Sequence, residues 1–274
     1  MPSRYLRFAD DVALAYRHAG PTTLPDVTPR VDRGSCVVLL HGAGGSSGLW
    51  TGLLESLAQA QHSPIALDLP GHGRSSGLDG PSSVTEAAGF VLRLLEALAA
   101  PRVILVGHGM GGQVALRLAI DRPARVRAVV ALGASAAPAA DATSCVALER
   151  EIAILDQVIA GRLPQQFDMP VFGVAPAMDV MRGFWGEMVR TDPRVRCQDL
   201  RCSLATDLRP EIGRIECPVL SIRGSADRLC SSAESLALVN GVPRSRAIEL
   251  EGAGHVAFLE QQGALLEAMR EVLG

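Results

Sequence analysis

The stretch "VILVGHGMGGQVALRLA", residues 103–119, decides how the chain is read. Its first residues are β-branched or apolar, a short continuous run of the kind buried on both faces of a parallel sheet. A glycine-rich corner follows, and a helical pattern starts at once. A strand–turn–helix of this build presents one residue at its apex, which is how a catalytic nucleophile is exposed. Gly107, Gly111 and Gly112 supply the small residues that a tight turn needs around that apex. The apex itself is Gly109, which has no side chain.

Strand-like and helical segments alternate on both sides of this corner. "CVVLLHG" and "SPIALDLPG" read as buried strands, and "RYLRFA" and "VALAYRHA" as alternating ones joined at Asp10-Asp11. Val84, Ala87, Ala88, Val91, Leu92, Leu95 and Leu98 mark one face of an amphipathic helix. "VRAVVALGA", "PVLSIRG" and "RAIELEG" are further strands, and a terminal helix runs from about Phe258 to Leu273. This alternation predicts an α/β fold around a parallel sheet. Between Ser135 and about Ile215 no strand pattern appears. Helical spacing dominates there, over about 141–160, 176–190 and 195–207, broken by Pro164, Pro170, Pro176 and Pro193. Such a block between two strands reads as a lid over the carboxyl ends of the sheet, where α/β sheets bind ligands. Residues 21–35, with Pro21, Pro25, Pro29 and Gly34, read as a surface loop.

Composition narrows the function classes. Hydrophobic residues make up 48% of the 274 and charged residues 20%, enough for a sizeable core and too apolar for a disordered chain. The net charge of −3 carries no basic block or acidic tail, so nucleic acid and anionic membrane are not expected partners. The N-terminal residues lack a signal-peptide apolar core, and the six cysteines have no CxxC spacing. Reduced thiols in a cytoplasmic protein are expected, with a small-molecule substrate and a homodimer as the candidate assembly.

The chemistry-bearing residues fall in loops that follow strands. "HGAGGSSGLW", residues 41–50, can aim backbone N–H groups at an anion, or form an ordinary tight turn. "RGSADR" supplies Asp227 and "EGAGH" supplies His255. "GHGMGG" also matches GxGxxG, but the next strand ends without the acidic residue a dinucleotide site needs, so no cofactor is implied. No ligand cluster implies a metal.

Together these motifs resemble the α/β-hydrolase fold, in the lid-bearing branch of esterases, enol-lactonases and C–C bond hydrolases. The resemblance covers nearly the whole chain, through HG-x-GG, DLPGHGRSS (68–76), the corner at 107–112, the helical block, GSADR and GAGH in that order. It implies an eight-stranded, mostly parallel sheet with flanking helices, a core of residues 1–134 and 214–274, and an inserted helical lid over 135–213. It further implies that position 109 is the nucleophile's, that His255 is the general base and acid, and that Asp227 orients it. The N–H groups of Ala43 and Met110 would form an oxyanion hole. His41, Gly42, His108 and Trp185 are candidate substrate-binding residues, although His41, like His72, sits in a loop the family uses for packing and His108 can equally brace the turn. Lid aromatics such as Phe167, Phe172 and Phe184 read as core.

The chain departs from that pattern at Gly109, where the resemblance calls for serine. Three explanations stand. A serine has been replaced, leaving an inactivated enzyme; or glycine is native and His255 with Asp227 activates a water or takes a proton directly; or the protein is a ligand-binding pseudoenzyme. The expected activity is hydrolysis of a small ester, lactone or vinylogous diketone, and a pocket kept only for binding would not need the acid–base pair.

Overall fold

In a computed structural model the protein is described over residues 3–19, 29–77, 79–137, 142–162, 171–173 and 177–274. Phe167, Pro164, Pro170, Pro176 and most of the loop expected at 21–35 lie outside them. Eight strands form one sheet: β1 (Ser3–Arg7), β2 (Ala13–His18), β3 (Cys36–Leu40), β4 (Ser63–Leu67), β5 (Val103–His108), β6 (Val126–Leu132), β7 (Val219–Gly224) and β8 (Ser245–Leu250). Their order is β1-β2-β4-β3-β5-β6-β7-β8, with β2 antiparallel to both neighbours and every other pairing from β4 to β8 parallel. The helices are α1 (Thr51–Gln59), α2 (Val84–Ala97), α3 (Met110–Asp121), α4 (Ala142–Ile159), α5 (Met178–Met188), α6 (Pro193–Ala205), α7 (Ser232–Gly241), α8 (Ala257–Glu260) and α9 (Gln262–Leu273).

All residues of β3, β4 and β5 are buried, as their unbroken apolar runs require. Successive residues of β3 serve opposite faces of the sheet. Val38 and Leu40 join the core under α2 and α3, while Val37 and Leu39 join the core under α1 and α9. In α2 the buried face is Val84, Ala87, Ala88, Val91, Leu94 and Leu95; Ser83 caps its N-terminus by accepting from the Glu86 N–H. Leu92, expected on that face, is only partly buried, and Leu94 takes the place. The terminal helix is two helices: Gln261, at φ −137° and ψ 52°, breaks it between α8 and α9. Among the described residues, three α-helices, α4, α5 and α6, occupy the stretch between β6 and β7. No described helix is long and apolar enough to cross a membrane.

The strand order turns outward at the centre. From β3 the chain moves to β4 on one side, and β5 lies on the other. Loops leaving β3 and β5 therefore diverge and leave a crevice at the carboxyl end of the sheet. The corner at 107–112 sits there under tight steric limits. A Cβ on Gly107 would lie 2.1 Å from the Gly111 carbonyl oxygen, and one on Gly111 would lie 2.5 Å from those of Leu40 and His41. We expect Gly107→Ala to lower the unfolding free energy by about 1–3 kcal/mol in urea titrations. Gly89→Ala, in α2 with nothing within 4 Å of the added carbon, is expected to raise it by about 0.5–1 kcal/mol.

Candidate active site

At the apex Gly109 takes φ 50° and ψ −118°, a conformation costly for residues with a side chain. A Cβ built there would meet, within 4 Å, only the His255 imidazole, with Nε2 at 3.5 Å and Cε1 at 4.0 Å. Position 109 therefore aims at one ring nitrogen of one histidine. The other nitrogen, His255 Nδ1, lies 3.0 and 3.1 Å from the two Asp227 carboxylate oxygens. With Nδ1–H donating to Asp227, Nε2 is left with its lone pair facing Gly109.

Asp227 is held in turn. Its Oδ1 accepts from the N–H groups of Leu229 (2.8 Å) and Cys230 (3.0 Å), in the loop that leads to α7. Burial works against its charge, but His255 and those two N–H groups outweigh burial and hold its pKa below the ordinary carboxylate value. Burial likewise opposes a charge on His255, and Asp227 outweighs it, so the imidazole pKa is raised. Glu260, on α8, fixes the loop that carries His255, accepting from Gly254 N–H (3.0 Å) and Gly173 N–H (2.9 Å). Gly133, at φ 53°, packs beside the pair, where a Cβ would lie 2.9 Å from His255 Nδ1 and 3.0 Å from Asp227 Oδ2. Only a glycine fits against that hydrogen bond.

Gly109, His255, Gly42, Ala43, Met110 and His108 line one cavity, with about 80 Å³ open to the centre of a water molecule. At roughly 10–15 Å³ per water, that is room for a small organic molecule. Met110 opens α3, so its N–H is among the first-turn donors without an intrahelical acceptor. The far wall comes from α4, α5 and α6, with Leu148, Phe184, Met188 and Leu200 on its apolar side. Glu151 and Arg196 form an ion pair in that wall, both nearly buried, and Glu234 of α7 adds a carboxylate. Trp185 is not among the lining residues; it packs against Phe172 and Phe184, and Phe184 of the same helix faces the cavity.

His41 does not line the cavity either. Its Nδ1 donates to the Gly42 carbonyl (2.9 Å) and its Nε2 accepts from the Leu69 N–H (3.1 Å), so the ring is spent on joining two loops. Burial, reinforced by neighbouring His72, pushes its pKa down to about 3. His108 lines the cavity and donates from Nε2 to the His255 carbonyl (3.1 Å), bracing the base from behind. Burial and then the His255 charge push its pKa down to about 3.

The residues around the site that carry no sequence signal of their own are Asp199 and Ser203, which meet groups of the predicted loops and helices. His72 Nε2 lies 2.7 Å from Asp199 Oδ2, and its Nδ1 lies 3.0 Å from the Pro70 carbonyl. The same Asp199 oxygen accepts from the Gly44 N–H (2.8 Å), so a buried carboxylate on α6 clamps the loop after β3. Burial opposes the His72 charge, Asp199 outweighs burial, and the pKa rises. Ser203 of α6 donates to Gln113 of α3 (2.8 Å), tying α6 to the helix behind the apex. Asp68 explains the motif DLPGHGRSS: it accepts from Ser47 N–H (2.6 Å) and Arg74 N–H (3.0 Å), joining the two loops. Among the described residues no group of three His, Cys, Asp or Glu could hold a metal ion.

Comparison with known proteins places the chain in a family. A model of the alpha/beta hydrolase family matches residues 37–268, and the chain belongs to that family. It is an α/β-fold hydrolase. The chain is 33% identical over 254 residues to "Putative carbamate hydrolase RutD" of Variovorax paradoxus, covering 88% of this chain and 92% of that one. It is 30% identical over 248 residues to a pimeloyl-[acyl-carrier protein] methyl ester esterase of Xanthomonas campestris pv. campestris, covering 87% and 95%. A hydrolase from Pseudomonas aeruginosa PA01 superposes with a TM-score of 0.82 at 26% identity, over 99% of this chain and 98% of that one.

Two outcomes are expected from this network. Asp199→Ala leaves the His72 charge and the Gly44 N–H without their acceptor, and should cost about 3–5 kcal/mol of stability, with Asp199→Asn costing less. The histidines also set a stability optimum. His41 and His108 stay neutral in the fold down to about pH 3, whereas the unfolded chain protonates them below the ordinary 6.5, so stability falls on acidification. His72 and His255, with raised pKa values, contribute fully below 6.5 and lose that contribution as pH rises through their folded values. Urea unfolding should therefore show a maximum near pH 6.5, with an acid-side slope of about 1.4 kcal/mol per pH unit for each proton taken up.

Proposed function

We propose that the chain hydrolyses a small carboxylic ester, lactone or vinylogous diketone at the cavity above Gly109. The observation that carries this reading is the direction of position 109: beyond its chain neighbours, a Cβ there would meet only the His255 imidazole within 4 Å, with Nε2 nearest. That is where a nucleophile must stand to surrender its proton to a base already oriented by a buried carboxylate. The N–H groups of Ala43 and Met110 receive the developing oxyanion, and residues 135–213 act as the lid that closes the cavity. The names of the two relatives, one a carbamate hydrolase and one a methyl ester esterase, support a small carbonyl substrate. The six cysteines, none in a disulfide, support a cytoplasmic setting.

With glycine at the apex the covalent acyl-enzyme route is closed. The remaining route uses a water beside Gly109: His255 Nε2 takes its proton as its oxygen attacks the carbonyl. Losing the triad nucleophile costs about 10⁶-fold in turnover, while hole and pocket retain about 10³–10⁴-fold over water.

A paired assay of the chain and its Gly109→Ser variant on nitrophenyl esters and lactones tests this reading. Serine is expected to raise turnover by on the order of 10³-fold or more and to yield an acyl-enzyme mass. It should also lower stability by about 1–3 kcal/mol, because serine is strained at this φ and ψ. Equal turnover in the two proteins, with no acyl adduct on serine, would count against it, as would unchanged turnover in His255→Ala.

A further inference from the structure

We propose that the chain, with glycine at position 109, catalyses direct acyl transfer from a small ester to a small neutral alcohol held beside Gly109. The inference rests on the hydrolytic reading above and names a second substrate for the same site.

In a serine enzyme the acyl group must pass through the protein, since the hydroxyl occupies the place next to the base. Here that place is open to a free molecule. Position 109 and His255 Nε2 lie in one cavity with Ala43 and Met110, and the nearest atom to an added Cβ is Nε2 at 3.5 Å. A hydroxyl there lies within hydrogen-bonding reach of an imidazole nitrogen whose partner nitrogen is anchored on Asp227. The cavity is small, so an acceptor of one or two carbons fits beside a short acyl donor. Leu148, Val171, Phe184, Met188, Leu229 and Val256 make much of its wall apolar. Each buried methyl group of an acceptor that still fits beside the donor then favours it about fourfold over water, molecule for molecule.

The step balances without any other reagent. The acceptor oxygen bonds to the ester carbonyl carbon while its proton passes to His255 Nε2, and the carbonyl electron pair moves onto oxygen. Collapse restores the carbonyl and breaks the bond to the leaving alkoxide, which takes the proton back from Nε2. One ester and one alcohol become another ester and another alcohol. Donor and acceptor must be bound together, so the kinetics are sequential and no acyl-enzyme forms.

The test uses the unmodified chain, 4-nitrophenyl acetate as donor, and methanol, ethanol or 2-propanol as acceptor, with the new acetate ester measured by gas chromatography. Formation of the corresponding acetate ester is expected to saturate with methanol, to fall by about tenfold from methanol to 2-propanol, whose third carbon exceeds the space beside the donor, and to vanish in His255→Ala. Gly109→Ala, which fills the acceptor's place, should lose about tenfold or more, and the saturation and size order in the unmodified chain stand whether or not that strained variant folds. Transfer that is linear in methanol, indifferent to acceptor size, or accompanied by an acetylated protein overturns the proposal. If 4-nitrophenyl acetate is hydrolysed and no methyl acetate appears, acyl transfer fails and the hydrolytic reading stands; if neither reaction occurs, both fail.

Discussion

Backbone meets backbone where β5 turns into α3, and the rest of the site depends on that contact. Gly111 lies against the carbonyls of Leu40 and His41, so the corner is locked to the end of β3 and to the loop that follows it. Gly112 lies against Ala134, which locks the same corner to the loop after β6. A side chain at either place would push the elements apart by more than the packed core could absorb. Close approach lets three strand ends contribute to a single cavity. Gly133, in the third loop, then admits the His255–Asp227 hydrogen bond at its side.

The four histidines around this corner, three of them buried and His255 partly so, divide by what their nitrogens meet. His41 and His108 face backbone groups and each other's surroundings, and burial keeps them neutral. His72 and His255 each face a buried carboxylate, which outweighs the same burial and favours the charge. One residue type thus supplies two neutral braces, one structural cation and one base. His108 supports His255 through its carbonyl, and His41 joins the loops after β3 and β4, so the neutral pair holds geometry while His255 is left to take a proton.

Helix α6 belongs to the site as much as the strand-end loops do. Asp199 reaches the Gly44 N–H and His72, Ser203 reaches Gln113, and Arg196 with Glu151 faces the cavity. The loop that carries Ala43 is therefore set in part by a helix more than 150 residues further along the chain. Glycine at the apex leaves this arrangement intact, since none of these bonds involves a side chain at position 109.

Periodicity and turn chemistry made much of the architecture legible. Unbroken apolar runs marked the buried strands, and the helical block between β6 and β7 appears as α4, α5 and α6 close to the predicted bounds. The loops carrying Asp227 and His255 could be placed at strand ends, and the fold brings those side chains to 3.0 Å. These features were readable because burial on one face or two imprints a repeat on each element separately. Asp199, Glu151 and Arg196 left no such mark, because their partners lie far away in sequence and a charged residue in a helix looks the same solvated or clamped. The choice of Phe184 over Trp185 for the cavity wall turned on a rotation of about 100° between helix neighbours. The sequence by itself determined which segments are strands, which loops carry chemistry, and that the apex lacks a side chain. Only the tertiary structure decided which charges meet and which way position 109 points, since strand order and close backbone contact, rather than any local pattern, bring those groups together.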